Sequence, residues 1–297
     1  MSQKGIPFDL PSQNASQNGS QNSSQNASQN SAVRPIRSNS VVKTPASRGA
    51  QAAPKSIRIL LCNPTSSESL TRSCVDAVIP TLSSNVVLVG CTALPPAPSA
   101  VESKFDEVMS AAVAVQGILQ HASQFDAFLV AAYADHALIG MLREELNQPV
   151  VGVLEASLFA ARSLGGRFGI VCAGERVKTG LEDAVRGAGF GAFCVGVRSC
   201  GVSVPGREKE EVLRVAGQMG KELVGDGADV VLLGCVGMKG LKEAVEEAVG
   251  EDVQVIDGVV AGVHHLIGLC RMGAKTAKRG AYASSAATRQ KRGQEWL

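Results

Sequence analysis

The sequence is poor in aromatic residues and lacks long apolar runs. Aromatic side chains make up 4% of its 297 residues, too few for the stacking platforms on which single-stranded nucleic acids bind. No apolar run approaches the roughly 18 residues that a membrane-spanning helix needs, so the sequence predicts no membrane protein. It contains neither a GxxxxGK[ST] loop nor a GxGxxG turn after a strand, so nothing indicates nucleotide binding.

The eight cysteines form no CxxC pair, which argues against a zinc ribbon or a thioredoxin-like motif. The paired His264 and His265 lie in a predicted helix, where adjacent side chains point in different directions, so they predict no metal site. The N-terminus has no apolar segment of the secretory type. These observations predict a cytoplasmic protein whose cysteines are reduced thiols.

Charge is distributed unevenly along the chain. Residues 1–56 carry six basic residues and one acidic residue, residues 271–297 carry seven and one, and the part between them carries 16 basic and 25 acidic residues. An acidic body makes a binder of the phosphate backbone improbable on charge grounds, so no nucleic-acid partner is predicted. The basic C-terminal tail, residues 274–297, is interpreted as a solvated segment, with contact to nucleic acid or to an anionic surface as the alternative.

The N-terminal segment is of low complexity. Residues 12–30 repeat the triplet SQN five times with a period of four. Such a segment has almost no apolar surface whose burial could offset the entropy lost on ordering. We therefore predict a disordered tail over residues 1–55, acting as a spacer.

From Ser56 onward, short apolar strands alternate with amphipathic helices, a pattern that predicts an α/β fold with mostly parallel sheets. An internal repeat divides this part into two lobes. The segment 126–138 aligns without a gap over 229–241, and each begins with Asp, runs through an apolar strand and re-enters a helix at Leu. We predict two pseudo-symmetric lobes, residues 56–151 (completed by 255–273) and 152–254, each a mostly parallel sheet flanked by helices.

Ligands of parallel α/β sheets bind beyond the carboxyl ends of the strands, so the active site is expected in the cleft between the lobes. Cys235 follows such a strand within the motif GCVGM. A helix start just after it would stabilise the thiolate and lower the pKa of Cys235, and the neighbouring glycines would let amides approach an oxyanion. The alternative is a small residue that packs at a strand end.

Three further features are candidates for substrate binding. The loop that begins at Asn63 and contains Thr65 and Ser66 can hold a carbonyl or carboxylate, or simply cap the next helix. Glu155 either faces the cleft or interacts favourably with the dipole at a helix N-terminus. His136 is either a local acid or a surface histidine.

Six motifs follow one another along the chain: IRILLCNPTSSESLT, LVAAYADHAL, VVGVLEASLFAARSLGGRFGIV, VVLLGCVGMKGL, VQVIDGVVAGV and TAKRGAYAS. In this order they resemble the aspartate/glutamate/hydantoin racemase superfamily, particularly the hydantoin and allantoin racemase branch in its fungal form. Together they extend from Ile57 to Ala283.

The resemblance implies a cofactor-independent, metal-free racemase acting on a small molecule such as a hydantoin, a ureide or an amino-acid derivative, and leaves a homo-oligomer open. It implies two cysteines on opposite faces of a carbon next to a carbonyl, one removing a proton and the other returning one. The second of these cysteines is Cys235. The residues that would hold the substrate are Asn63, Thr65, Ser66, Tyr133, Asp135, Glu155, Val236 and Gly237.

The position of the first cysteine in that family is occupied by Ala132, which the internal repeat also aligns with Cys235. Alanine transfers no proton. Cys62, Cys172 or His136 would then have to substitute, or the enzyme would use one thiol, as arylmalonate decarboxylases of the superfamily do. A catalytically silent relative that binds a ligand is the alternative from another functional class.

Overall fold

The structure is a computed structural model that describes residues 56–201 and 208–294. The predicted disorder of residues 1–55 lies outside the described residues. Within them, the chain folds into two sheets flanked by helices, which confirms the predicted two-lobed α/β architecture.

The two sheets are each four-stranded and entirely parallel, and they share one strand order. The first has the order β2-β1-β3-β4 and the second the order β6-β5-β7-β8. Nearly every residue of the central strands is buried, as expected for strands covered on both faces. The strands are β1 Ile57–Asn63, β2 Val86–Thr92, β3 Ala127–Val130, β4 Val150–Gly152, β5 Phe168–Cys172, β6 Cys194–Ser199, β7 Val230–Gly234 and β8 Gln254–Asp257.

Most helices begin within one residue of the start that the apolar periodicity predicts. α2 and α7 begin at Lys104 and Leu241, three residues after the predicted starts at Val101 and Met238, and α9 was not predicted. Before α7, Gly237 and Gly240 adopt positive φ angles of 72° and 87°, which a right-handed helix does not contain. The helices are α1 Glu68–Val78, α2 Lys104–His121, α3 Ala137–Glu145, α4 Val153–Leu164, α5 Glu175–Gly187, α6 Lys209–Gly225, α7 Leu241–Val249, α8 Gly258–Arg271 and α9 Ala286–Lys291.

The internal repeat is visible in the hydrogen bonds. Asp126 accepts a hydrogen bond from the N–H of Arg58 at 2.9 Å, and Asp229 accepts one from the N–H of Arg167 at 2.9 Å. In turn, the N–H of Asp126 donates to the Arg58 carbonyl and that of Asp229 to the Arg167 carbonyl. The two aspartates therefore occupy equivalent places, and counting six residues from each places Ala132 and Cys235 at equivalent strand ends.

One apolar core extends through both lobes. It contains residues of β1 and β3 from the first sheet, of β5 and β7 from the second, and of the helices between them. α4 packs against α8, and α8 also contacts β1, β3 and β4. α8 thus packs mainly against the first sheet, whereas β8 pairs with β7 in the second sheet. The predicted boundaries at 152 and 255 shift accordingly, since Gly152 ends β4 and residues 254–257 belong to the second sheet.

The C-terminal segment departs from the interpretation as a solvated tail. Lys278 Nζ donates to the carbonyls of Arg143 and Glu144 at the end of α3, and Arg289 forms an ion pair with Glu145 at 2.6 Å. A cation at a helix C-terminus satisfies carbonyls that lack intrahelical partners. The described part, residues 274–294, is therefore attached to the first lobe by its basic residues.

Candidate active site

A cavity of about 910 Å³ opens at the carboxyl ends of the strands, as predicted, and residues of both lobes line it. The first lobe contributes the loops after β1 and β3, and the second lobe contributes the loops after β5 and β7 together with one side of α5. Among the predicted site residues, those that line it are Thr65, Ala132, Tyr133, Asp135, His136, Cys235, Val236 and Gly237.

Cys235 is the thiol that lines this cavity. It follows Gly234, the last residue of β7, and is half-buried. Its Sγ lies 3.7 Å from the Sγ of Cys200, at the end of β6. The hydrogen bond with Cys200, together with burial, raises the pKa of Cys235 above the ordinary thiol range.

The predicted low pKa of Cys235 is therefore wrong. The expectation rested on a helix start directly after the strand, and α7 begins only at Leu241. The stabilisation by a helix dipole falls off beyond the first turn, so it does not reach this thiol. At neutral pH the resting side chain is a thiol rather than a thiolate.

The loop after Cys235 is pressed against the first lobe. A Cβ atom on Gly237 would lie 2.9 Å from Leu70 Cδ1 and 3.3 Å from Cys74 Sγ, both on α1. Only glycine fits this close approach at a positive φ. Among the described residues, no acceptor takes the N–H groups of Cys235, Val236 or Gly237. Three amides without an acceptor thus lie in the same loop as the thiol, and their residues line the cavity.

Ala132 presents only a methyl group to the cavity, at the place in the first lobe that corresponds to Cys235. The next residue, Tyr133, is buried, and a Cβ atom on Gly234 would lie 3.3 Å from its Cε1. Its hydroxyl has no hydrogen-bond partner among the described residues. Burial raises the pKa of Tyr133, while the nearby Ser157 hydroxyl donates to the Val153 carbonyl rather than to Tyr133. The Tyr133 ring therefore links the two strand-end loops by packing.

The loop after β1 uses its polar groups internally. The amide of Asn63 donates to the Ser67 carbonyl at 2.9 Å and to Thr71 Oγ1 at 3.0 Å. Its Oδ1 accepts the Thr65 N–H at 3.0 Å and the Thr65 hydroxyl at 2.9 Å. Asn63 thus shapes the loop without lining the cavity. Ser66 also lies off the cavity lining, and its N–H donates to the Pro98 carbonyl.

His136 is buried rather than at the surface. Its Nδ1 accepts the Leu138 N–H at 3.2 Å and so caps α3, while Nε2 lies 3.1 Å from Ser110 Oγ. Burial lowers the pKa of His136 to about 4, so the ring is neutral at pH 7. Both nitrogens are engaged, which leaves no lone pair for a substitute base. Asp135, its neighbour, is exposed at the cavity.

Cys62 and Cys172 are not brought to the cavity, contrary to expectation. Both are fully buried, and their thiols face the carbonyls of Leu60 and Gly174. Burial raises the pKa of Cys172 to about 12, and burial together with Cys91 raises that of Cys62. Within residues 56–201 and 208–294, no group of three or more His, Cys, Asp or Glu side chains is placed to hold a metal ion.

Glu155 does not face the cleft. Its carboxylate receives two hydrogen bonds from Arg143, at 2.9 and 2.7 Å, and one from the Gly152 N–H at 2.9 Å. Arg143 also lies over the Tyr282 ring at 5.6 Å. This ion pair joins α3 and α4 to the C-terminal segment, so the residue is part of the scaffold.

Two features of the site escaped sequence reasoning. Cys200 follows β6, but its proximity to Cys235 depends on β6 and β7 flanking β5, which no local pattern encodes. Glu107 is buried at the cavity, where it pairs with Lys104 at 2.8 Å and accepts the Ala137 N–H at 3.3 Å. Its predicted helical position alone gave no sign of this role at the start of α3.

Comparison with known proteins identifies related sequences and folds. Residues 59–266 match the model of the Asp/Glu/hydantoin racemase family. A hydantoin racemase of Pseudomonas sp. (strain NS671) is 33% identical over 230 residues, which cover 76% of this chain and 91% of that protein. An uncharacterized protein of Schizosaccharomyces pombe is 36% identical over 231 residues, covering 76% of this chain and 97% of that protein.

A solved structure of allantoin racemase from Pseudomonas fluorescens superimposes with a TM-score of 0.69. Its sequence is 31% identical, and the match covers 77% of this chain and 97% of that one. The two-lobed arrangement described above is thus shared over nearly the full length of that protein. Within the described part of this chain, no helix is long and apolar enough to cross a membrane.

The raised pKa of Cys235 predicts slow alkylation at neutral pH. Because the thiolate is the reacting form, the rate of iodoacetamide labelling at Cys235 should still be rising as the pH reaches 9, the ordinary value for a thiol. Mass spectrometry of the tryptic peptide 222–239 reports this site alone. A labelling rate that levels off below pH 7 would show that the thiolate is stabilised, and would contradict a raised pKa of Cys235.

Replacing Glu155 by Gln should weaken the fold and spare the site. Hydrogen bonds to charged groups contribute about 1.5–3 kcal/mol, so we expect a loss of about that size in the free energy of unfolding, measured in urea. A matched change at the exposed Glu175 should cost less than about 0.5 kcal/mol. A raised KM with unchanged stability in Glu155→Gln would identify a substrate ligand instead.

Replacing Tyr133 by Phe removes a buried hydroxyl that has no partner among the described residues. Since such a group costs about 1–3 kcal/mol of desolvation, the Phe variant should be as stable as the wild type or more stable. Tyr133→Ala, which also removes the ring, should lose about 3–5 kcal/mol. Chemical unfolding compares the three proteins, and a clear loss of stability in Tyr133→Phe would show that the hydroxyl is hydrogen-bonded.

Proposed function

The chain belongs to the Asp/Glu/hydantoin racemase family and is a racemase-type enzyme, and we propose that it transfers a proton at a carbon next to a carbonyl. The substrate class we propose is a hydantoin, a ureide or a related amino-acid derivative. Relatives named hydantoin racemase and allantoin racemase support this class. The observation that carries the proposal is the position of Cys235, a thiol facing the cavity in the same loop as three amides that have no acceptor among the described residues.

In the proposed reaction, Cys235 is the proton carrier on its face of the substrate. The carbonyl next to the reacting carbon would accept hydrogen bonds from the amides of the loop 235–237. The thiolate form of Cys235, the minor species at neutral pH, takes the proton from the carbon. The electron pair spreads onto that oxygen, and these amides stabilise the charge there. The thiol then returns a proton to the carbon. A positioned acid or base of this kind contributes about 10²–10⁴-fold to a rate.

The opposite face of the substrate meets Ala132. This side chain carries no acidic proton. The two ring nitrogens of the neutral His136 are engaged with the Leu138 N–H, at the start of α3, and with Ser110. We therefore assign proton transfer on that face to solvent, which reaches the cavity. Inversion of the substrate would then be slower than exchange of its proton on the Cys235 face.

The same asymmetry favours a second candidate, decarboxylation of a malonate-type acid. There the bond between the α-carbon and a carboxylate breaks, its electron pair stays on the α-carbon, and carbon dioxide leaves. Cys235 then supplies a proton to one face, and no base is needed on the other. The raised pKa of Cys235 suits this reaction, because the thiol is already protonated at neutral pH.

Solvent exchange in heavy water tests the proposal. The purified, reduced protein is incubated with each enantiomer of a panel of 5-substituted hydantoins and of allantoin. Proton NMR follows the loss of the α-proton, while polarimetry follows the configuration. We expect exchange on at least one substrate, and a loss of about 10²-fold or more in Cys235→Ala. The malonate-type acids are assayed in parallel for release of carbon dioxide.

The control is Cys194→Ser, which removes a half-buried thiol at the opposite end of β6 and should leave exchange unchanged. Exchange that survives in Cys235→Ala would overturn the assignment of the proton carrier. Turnover of malonates without exchange of hydantoins would replace the first candidate by the second.

A further inference from the structure

Two thiols meet at the edge of the second sheet, and one of them faces the cavity. Cys200 and Cys235 follow β6 and β7, the strands that flank β5, and their Sγ atoms lie 3.7 Å apart. We propose that these two cysteines form a reversible disulfide, which makes the pair an oxidative modification site of this protein.

The two sulfur atoms are already close to each other. A disulfide has an S–S distance of about 2.05 Å, so the two sulfur atoms must approach by less than about 2 Å. The backbone on both sides is held by the sheet. The N–H of Cys200 donates to the Cys172 carbonyl at 2.8 Å, and Gly234, which precedes Cys235, is paired with Cys172. The two cysteines thus lie on opposite sides of Cys172, at the ends of strands that are two strand spacings apart. Closing the bond therefore requires rotation of both side chains and a shift of the residues that follow the strand ends toward each other.

The chemistry needs an oxidant, for which a hydroperoxide suffices. The Cys235 sulfur attacks the peroxide, the O–O bond breaks, and a sulfenic acid and one molecule of water result. The Cys200 sulfur then attacks the sulfenic sulfur, forms the S–S bond and releases a second water. Overall, two thiols lose two protons and two electrons, and hydrogen peroxide is reduced to two molecules of water.

The two cysteines differ in their exposure to the cavity, and this difference determines the order of these steps. Cys235 lines the cavity, whereas Cys200 is fully buried. The oxidant therefore reaches Cys235 first, and Cys200 acts as the resolving thiol from behind it. The neighbouring Cys172 is engaged with the Gly174 carbonyl at 3.5 Å and is buried, so it is not expected to compete.

The raised pKa of Cys235 limits the rate of its oxidation. Because only the thiolate attacks peroxide efficiently, oxidation at neutral pH should be slow and should accelerate as the pH rises. The site would thus respond to sustained oxidation rather than to a brief pulse. Under the proposed function, on which this consequence alone rests, the disulfide removes the proton carrier and silences the enzyme until a thiol reductant restores it.

The disulfide can be detected directly in the full-length protein. The reduced protein is treated with hydrogen peroxide, remaining thiols are alkylated at low pH, and the chain is digested with trypsin without reduction. Cys200 and Cys235 fall in the peptides 199–207 and 222–239, each of which contains a single cysteine. We expect these two peptides as one linked species, two hydrogens lighter than their sum, which dithiothreitol separates.

Variants separate this proposal from the proposed function. In Cys200→Ser the linked species should be absent and Cys235 should proceed to sulfinic acid, so that inactivation is no longer reversed by dithiothreitol. Cys194→Ser should behave as the wild type. Wild-type protein that yields sulfinic acid at Cys235 without any linked species would overturn the disulfide. A linked species that forms with activity retained would support the disulfide and instead refute Cys235 as the proton carrier.

Discussion

The apolar core that the two sheets share is the constraint on which the rest of the molecule depends. It extends from β1 and β3 through α4 and α8 to β5 and β7. Because all eight strands are parallel within their sheets, this packing sets the two rows of strand ends around one cavity. Gly237 against α1 and Tyr133 against Gly234 are two contacts between the lobes beside the cavity. The geometry of the site therefore depends on the packing between the lobes.

Within this symmetric frame, the chemistry is asymmetric. The backbone places Ala132 and Cys235 at equivalent positions, yet only one of them carries a transferable proton. The second lobe further differs by the thiol of Cys200 behind Cys235, which forms a hydrogen bond with it and helps to keep it protonated. The same contact that holds the thiol in its resting state also makes it the natural partner for a disulfide. The catalytic proposal and the redox proposal thus both depend on the sulfur atoms of Cys200 and Cys235, and different measurements test them.

The sequence predicted the elements well because the apolar runs are short and strongly periodic. β1, β5 and β7 lie within one residue of the strands that the apolar runs predict, which are Ile57–Cys62, Arg167–Val171 and Asp229–Leu233. The repeat correctly aligned Asp126 with Asp229. The start of α7 was misplaced because it depends on two glycines with positive φ rather than on hydrophobic period.

Other errors arose from contacts between distant parts of the chain. The C-terminal segment is held by the carbonyls at the end of α3, and Glu155 is turned toward Arg143; neither partner is apparent from local composition. The pKa of Cys235 was predicted in the wrong direction for the same reason. Its sign is set by Cys200, which lies 35 residues away in sequence. Local patterns therefore located the site, whereas its electrostatics required the tertiary structure.

The most direct test of this account is to supply the missing thiol. Ala132 lines the cavity and is half-buried, so Ala132→Cys adds one sulfur atom at a place with room for it. The quantity to measure is the ratio of substrate inversion to α-proton exchange in heavy water, on the same substrate, for the wild type and the variant. The account predicts that in the wild type the rate of α-proton exchange exceeds the rate of inversion. In Ala132→Cys the rate of inversion should rise toward the rate of exchange. A wild-type protein in which inversion already keeps pace with exchange would contradict it, because a second proton carrier would then act on the Ala132 face.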